Sequence, residues 1–423
     1  MDSKDSLRIL PGRLPGEVFA YPSKSMSHRA LFLAAQNPDG AVITNLSRCD
    51  DVLATVSALR SCGFSVTEEG EETRVRPGKA PAFAQIDCAS SGSTLRFIIP
   101  YLAASGIPAR IVGSEQLTKR PVDEYKTLFA DQPLTVNSRL PICLSGHIGG
   151  GSYTLSGKIS SQYATGLLLA AGSLAEMSYF SIPRGSVSYP YIRMTVSVMR
   201  DFGIRVEEKG ESLLVRGGQR VTRSRYTVEG DWSLASFWLC LGAALSPEGL
   251  TVRGLQPVSV QGDAHLLRIF ERIGVPYDLT EDGIRVYGRP VSGSYCFDLH
   301  DHPDLFPVLC AYFALTKACV TFTGLGALRY KESDRIRSVV GALGALGASV
   351  AACEDSVTVN GSESRFRPCQ ADLKGDHRVA FACALWALGS ESELELNGAS
   401  CVEKSWPTFC EELESLGLAQ KGE

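Results

Sequence analysis

Residues 21 to 35 read YPSKSMSHRALFLAA, and residues 329 to 335 read RYKESDR. Lys24, Ser25 and Arg29 open an apolar run, and Lys331, Glu332 and Arg335 open another. Both runs look helical. The N-terminal end of a helix already carries about half a positive charge and unpaired N–H groups, so added cations are disfavoured there unless something negative balances them. Such a start is a ready anion site. Glu332 beside Lys331 puts a carboxylate in a cationic pocket, where proton transfer is useful. Ser25 and Arg29, and likewise Lys331 and Arg335, are four residues apart, which predicts that each pair projects from one side of its helix.

These helices have equivalents along the chain. LRFIIPYLAASG, ATGLLLAAGSL, ASFWLCLGAAL, LFPVLCAYFAL and VAFACALWALG repeat the first apolar run, with starts near 29, 95, 164, 234, 305 and 378, spaced by 66 to 73 residues. Regular spacing of this kind marks an internal repeat. Each copy continues with a short β-like run such as ARIVGS or CVTFTG, then an amphipathic helix closed by Gly, such as AHLLRIFERIG. Most copies add two alternating strands around a turn, as in FSVTEEGEETRVRPG. A further strand precedes the first helix. The last copy ends at LESLGLAQKGE without such a hairpin, while LRILPG near residue 7 is a strand with no copy of its own. The expectation is an α/β protein of two similar domains with three units each: 22–228, and 229–423 completed by residues 1–21.

In this alignment the polar clusters SKSMSHR, SSGSTLR, ISSQYAT, HPDLF and GDHR precede first helices, and TKRPVDE, VSYPY, RYKESDR and VEKSWP precede second ones. Arg120, Arg335 and Arg378 suit bidentate carboxylate or phosphate binding, whereas Lys24, Lys331 and Lys404 act as point charges. Gly92 permits close backbone approach to a ligand.

A formal net charge of -4, 44% hydrophobic and 21% charged residues describe an ordinary globular protein and argue against a general nucleic-acid binder. No run approaches the roughly 18 apolar residues of a membrane span, and the first residues lack a signal-peptide core. Thirteen scattered cysteines without a CxxC pair read as reduced structural residues of a cytoplasmic protein. HDHPD at 300–304 reads as a loop rather than a metal site.

Taken in order, SKSMSHRA, SGSTLR, KRPV, SSQY, YPYI, VEGDWSLAS, QGD, KESDR, GDHR and EKSWP resemble the 5-enolpyruvylshikimate-3-phosphate synthase family over nearly the whole chain. The resemblance implies the enolpyruvyl transferase fold, an inside-out αβ barrel with three βαβαββ units in each of two domains that close over the substrates. It also implies transfer of the enolpyruvyl group of phosphoenolpyruvate to the 5-hydroxyl of shikimate 3-phosphate, without metal or organic cofactor, by a monomer that takes small-molecule substrates and neither nucleic acid nor membrane. Carried over by position, Lys24, Ser25, Arg29, Ser160, Ser161, Gln162, Ser188, Tyr191, Asp304 and Lys331 would hold shikimate 3-phosphate. Lys24, Gly92, Arg120, Gln162, Arg335, Arg378 and Lys404 would hold phosphoenolpyruvate. Asp304 would handle the hydroxyl proton and Glu332 the methylene proton, with Lys24 assisting. Ser90 and Ala327 depart from the family form, each standing where Asn is common.

Two other readings use the same residues. An enolpyruvyl transferase acting on UDP-N-acetylglucosamine would carry a reactive Cys before the Arg-Pro pair, where this chain has GSEQLTKRPV. A catalytically silent ligand-binding relative would not need Lys24, Asp304, Glu332 and Lys404 together.

Overall fold

The computed structural model describes residues 5–137, 139–157, 160–183 and 185–422. The chain divides into a continuous unit, Pro22–Glu229, and a split unit made of the segment up to Tyr21 and of Gly230 onward. Each has its own apolar core, and neither core draws a residue from the other unit.

The apolar runs form helices that are buried on nearly every side, as uniformly apolar helices must be. In the continuous unit these are Lys24–Ala35, Gly92–Ser105 and Gln162–Ala171. In the split unit they are Trp232–Leu245, Phe306–Ala314 and His377–Gly389. Within a unit these helices pack on one another, as Phe306–Ala314 does on His377–Gly389 and Gly92–Ser105 on Gln162–Ala171. The amphipathic helices, such as Leu266–Ile273, lie outside them with one apolar face turned inward. Short sheets complete the outer layer. Alternation decides which strand face is buried: in Lys317–Thr323, Ala318, Val320 and Phe322 are buried and the residues between them are not.

Each four-stranded sheet joins one parallel pair to an antiparallel hairpin. In the sheet of Ala84–Asp87, Ala109–Val112, Ile142–Gly146 and Leu134–Val136, Ala84 faces Ala109 in parallel and Ala109 faces Leu144 in antiparallel register. Two strands are exchanged relative to the simple repeat. Glu17–Phe19, which precedes the helix Lys24–Ala35 in sequence, pairs with Leu250–Arg253 of the split unit. Arg225–Thr227, which precedes Trp232–Leu245, pairs with Ala41–Thr44 of the continuous unit. The sixth sheet has three strands: Ser6–Ile9 lies between Leu394–Asn397 and Ala419–Lys421, antiparallel to both. LESLGLAQKGE therefore does contain a strand, and it and Ser6–Ile9 take the places of the two hairpin strands.

The second unit differs from the regular pattern. Where TKRPVDE predicts a second helix, two short helices stand, Glu115–Thr118 and Glu124–Leu128. Pro121 disfavours helix at Arg120 and interrupts the run.

Candidate active site

Residues 24 and 25 occupy the first turn of Lys24–Ala35, whose cap is Ser23; its side chain accepts from the Met26 N–H at 3.4 Å. The Lys24 ammonium meets Asp51 Oδ2 at 3.0 Å, so the protein itself supplies one balancing anion. Arg29, on the next turn, is buried. It donates to Thr195 Oγ1 at 2.9 Å, Thr165 Oγ1 at 3.3 Å, the Ser25 carbonyl at 2.6 Å and the Tyr191 carbonyl at 3.0 Å, and pairs with no carboxylate among the described residues. Burial pulls its guanidinium down to about 10, which leaves it charged at neutral pH.

A second buried guanidinium stands nearby in the same unit. Arg96, from the helix Gly92–Ser105, donates to Gln162 Oε1 and to the Pro121 carbonyl at 2.9 Å, while its Nε has no partner. Burial and then the charge of Arg120 lower its pKa. Gln162 is further fixed by donating to Ser93 Oγ at 2.9 Å. Gly92 begins the helix that carries Arg96, and a Cβ there would collide with Arg120 Nη1. The missing side chain is thus what lets the Arg120 guanidinium lie against the helix start. Ser161 caps the helix Gln162–Ala171, and Ser160 Oγ accepts from the Gln162 N–H at 3.3 Å. Ile159, the first residue of that cluster, lies outside the described residues. Ser188 precedes Tyr189–Asp201 with a φ of 58°, a left-handed conformation uncommon for a serine. Within the continuous unit the structure thus brings Arg29 together with Ser25 and Tyr191, Gly92 with Arg120, and Gln162 with Ser160.

In the split unit the cations are met by carboxylates. Arg335, only 1% exposed, reaches Asp304 Oδ1 at 2.9 Å, Glu332 Oε2 at 2.5 Å and Asp376 Oδ2 at 3.1 Å. Burial alone would lower its pKa, and the three carboxylates more than reverse that. Asp304 is further approached by Arg378 Nη2 at 3.4 Å and Lys331 Nζ at 3.7 Å. Burial pushes Asp304 toward its neutral form, but Arg378, Lys331 and Arg335 prevail and hold it well below the usual carboxylate range. Arg378 also donates to the Asp304 main-chain carbonyl at 3.2 Å. Lys404, buried, ends the 3-10 turn Ala399–Lys404.

Lys331 and Arg335 do not share a helix. The helix Arg335–Ala345 starts at Arg335, because Asp334 caps it by accepting from the Arg337 N–H at 3.2 Å; Lys331 lies in extended backbone before it. What joins the pair is Asp304 Oδ1, which both approach. Asp304 itself sits in the turn Pro303–Leu305, just ahead of Phe306–Ala314. Ser90 Oγ is 2.8 Å from Ser114 Oγ, and Ala327 lies in the turn Gly326–Tyr330.

Asp51, Arg96, Asp263 and Asp376 are absent from the residue set read from sequence. Asp263 and Asp376 stand in the motifs QGD and GDHR, yet nothing in a lone sequence marks them as buried partners. Asp51 carries a weaker signal, as one of two aspartates in the first turn of Asp50–Ser61, where carboxylates are common anyway.

The family model of EPSP synthase (3-phosphoshikimate 1-carboxyvinyltransferase) matches residues 10–413. The chain is 34% identical to a 3-phosphoshikimate 1-carboxyvinyltransferase of Clostridium kluyveri over 97% of its own length and 96% of the relative's. It is 33% identical to the protein of that name from Halobacterium salinarum over 98% and 99% of the two chains. Among solved structures, EPSP synthase from Acinetobacter baumannii superposes with a TM-score of 0.81 at 22% identity, covering 98% of this chain and 99% of that one. The enolpyruvyl transferase NikO from Streptomyces tendae shares the fold with a TM-score of 0.77 at 18% identity over 99% of both chains. A match of that extent, in family model and in relatives above 30% identity, means that the chain belongs to the EPSP synthase (3-phosphoshikimate 1-carboxyvinyltransferase) family.

Proposed function

We propose that this protein transfers the enolpyruvyl group of phosphoenolpyruvate to the 5-hydroxyl of shikimate 3-phosphate, with release of phosphate. The observation that carries the reading is the contrast in charge: among the described residues Arg29 and Arg96 are buried cations without a carboxylate, whereas Arg335 is surrounded by three. A buried charge without a counter-charge is costly, so the first pair calls for ligand anions. The mixed cluster around Arg335 suits acid–base chemistry.

In this reading Lys24, Ser25, Arg29, Ser160, Ser161, Gln162, Ser188, Tyr191, Asp304 and Lys331 bind shikimate 3-phosphate. Lys24, Gly92, Arg120, Gln162, Arg335, Arg378 and Lys404 bind phosphoenolpyruvate. A proton delivered to the methylene, with Glu332 as donor and Lys24 assisting, makes C2 electrophilic. The 5-hydroxyl oxygen then bonds to C2 as its proton passes to Asp304. The tetrahedral intermediate returns a methyl proton to the Glu332 carboxylate while the C–O bond to phosphate breaks, and the alkene is restored. The same reading places a monomeric protein in a reducing cytoplasm, in keeping with thirteen free cysteines. No helix among the described residues is long and apolar enough to cross a membrane.

Release of inorganic phosphate is the test. It is expected with phosphoenolpyruvate plus shikimate 3-phosphate, and not when UDP-N-acetylglucosamine replaces the latter; the opposite pattern would overturn the proposal. No release with either acceptor would leave a silent binding protein as the better reading.

A further inference from the structure

Beside Asp304 lies a second buried carboxyl that the reaction scheme does not use. Asp263 belongs to the turn Gly262–His265, is 2% exposed, and accepts from Ser233 Oγ through Oδ2, while Oδ1 has no partner. Its turn is anchored on two sides. Gln261 accepts from the Trp232 N–H at 3.2 Å and donates to the Gly230 carbonyl at 2.7 Å. His265 stacks face to face on His302, with ring centroids 4.2 Å apart and planes 7° from parallel, which ties this turn to the one carrying Asp304. A carboxyl with a bare oxygen, held this firmly, is not placed there for stability: burying it costs free energy that a hydrophobic side chain would not.

We infer that Asp263 is a positioning residue for hydroxyl deprotonation: its negative charge raises the affinity of Asp304 for the proton that Asp304 takes from the 5-hydroxyl. The inference rests on the proposed role of Asp304. Its physical basis is a conflict within the site. Three cations keep Asp304 ionised, and a carboxylate stabilised so strongly is a weak base. Like charges nearby work in the opposite direction: Glu332 acts so on Asp304, and Asp263, which Asp304 repels, is a second such charge. The contacts of Arg378 and Lys331 with Asp304, at 3.4 and 3.7 Å, are looser than that of Arg335, so anionic substrates can draw on these two cations and leave the repulsion from Asp263 less opposed.

The groups that act on Asp263 come from three elements. Asp304 and Asp231 repel its charge, Arg378 attracts it, and the Ser233 hydroxyl stabilises it by hydrogen bonding. Burial lowers the stacked imidazole of His265, and burial together with His265 takes His302 down to about 4, so this pair disfavours positive charge. Burial first and the charge of Asp304 second push Asp263 up to about 7, against Arg378 and Ser233. Asp263 is thus neutral in mild acid and ionised in mild base, and the basicity of Asp304 should rise across that interval.

The experiment is the pH profile of kcat between about 5.5 and 9, measured on the full chain with both substrates saturating. The wild type is expected to gain about tenfold through neutrality, the effect of roughly one pKa unit on Asp304. Asp263→Asn retains an acceptor for Ser233 but cannot ionise, so the rise should disappear, with kcat about tenfold down in mild base and KM within about twofold for both substrates. Ser233→Ala removes a donor to the anion and should move the inflection up by about one pH unit; it serves equally if the Asn variant does not fold. An inflection that survives in Asp263→Asn, stays in place in Ser233→Ala, or gives way to a change in KM alone overturns the inference. Asp304→Asn tests the underlying reading separately: full activity in that variant removes Asp304 as the base, whatever Asp263 does.

Discussion

Among the described residues Arg335 has three carboxylates around it and Arg29 has none, so their removal should have different consequences. Arg335→Ala takes the shared cation from Asp304, Glu332 and Asp376 in a buried site and is expected to cost about 3 to 5 kcal/mol of stability, read from urea unfolding. Arg29→Met removes a cation that was never compensated, and Thr165 and Thr195 can still bond each other across their 3.0 Å separation. It should cost no more than about 1 kcal/mol, yet raise KM for shikimate 3-phosphate severely. Equal destabilisation in the two variants would contradict this account. Asp263 gives a pH-dependent case. Its pKa in the folded protein, about 7, lies above that of an unfolded aspartate, so only the unfolded chain releases this proton between about pH 4 and 7. The stability it contributes is full below that interval and lost as pH rises through it. Asp263→Asn should therefore raise the urea midpoint relative to wild type at pH 8 by more than at pH 5, and a pH-independent difference would refute the assignment. Gly92→Ala is different again. The added methyl displaces the flexible end of Arg120, so folding should survive while KM for phosphoenolpyruvate rises about tenfold or more, the scale of a lost charged contact.

Helix caps carry the same division to the scale of elements. In the continuous unit, serine side chains cap two first helices: Ser23, and Ser91, which accepts from the Thr94 N–H at 3.2 Å. In the split unit the corresponding caps are aspartates: Asp231 accepts from the Leu234 N–H at 3.0 Å and Asp376 from the Arg378 N–H at 3.0 Å. Neutral caps leave the positive helix ends available to a ligand, whereas charged caps offset them. Ser91→Ala is expected to lower stability by about 1 kcal/mol, measured as a shifted unfolding midpoint; no shift would mean that Thr94 finds another partner. Much at this scale was legible in sequence. The six buried helices announced themselves as uniformly apolar runs at nearly constant spacing, and the cations at their starts were visible as an electrostatic anomaly. The exchange of Glu17–Phe19 and Arg225–Thr227 was not, because a strand ahead of a helix reads the same whichever sheet it joins. Nor could spacing show that Lys331 leaves the helix of Arg335: a four-residue interval is ambiguous until the Asp334 cap sets the first turn. The buried partners Asp51, Asp263 and Asp376 exist only through tertiary packing.

For the whole molecule, the two separate cores have a direct consequence. Every buried residue of the continuous unit's core falls between Met26 and Val228, and the sheet completed by Arg225–Thr227 is made entirely within this unit. A fragment spanning residues 22–229 is therefore expected to fold alone, with a cooperative thermal transition and dispersed amide resonances; a fragment that remains unfolded would show that the unit depends on the rest of the chain. The split unit lacks this independence, since Leu7, Ile9 and Val18 belong to its core.

That dependence has an order in time. During synthesis Ser6–Ile9 leaves the ribosome long before its neighbours Leu394–Asn397 and Ala419–Lys421 do. At roughly 5 to 20 residues per second, the strand waits for about 20 to 80 s with Leu7 and Ile9 uncovered. The continuous unit can be finished in that interval, so this strand is made before that unit and placed after it. A nascent chain stalled near residue 390 should present that apolar strand to chaperones beside an already protease-resistant 22–229 segment.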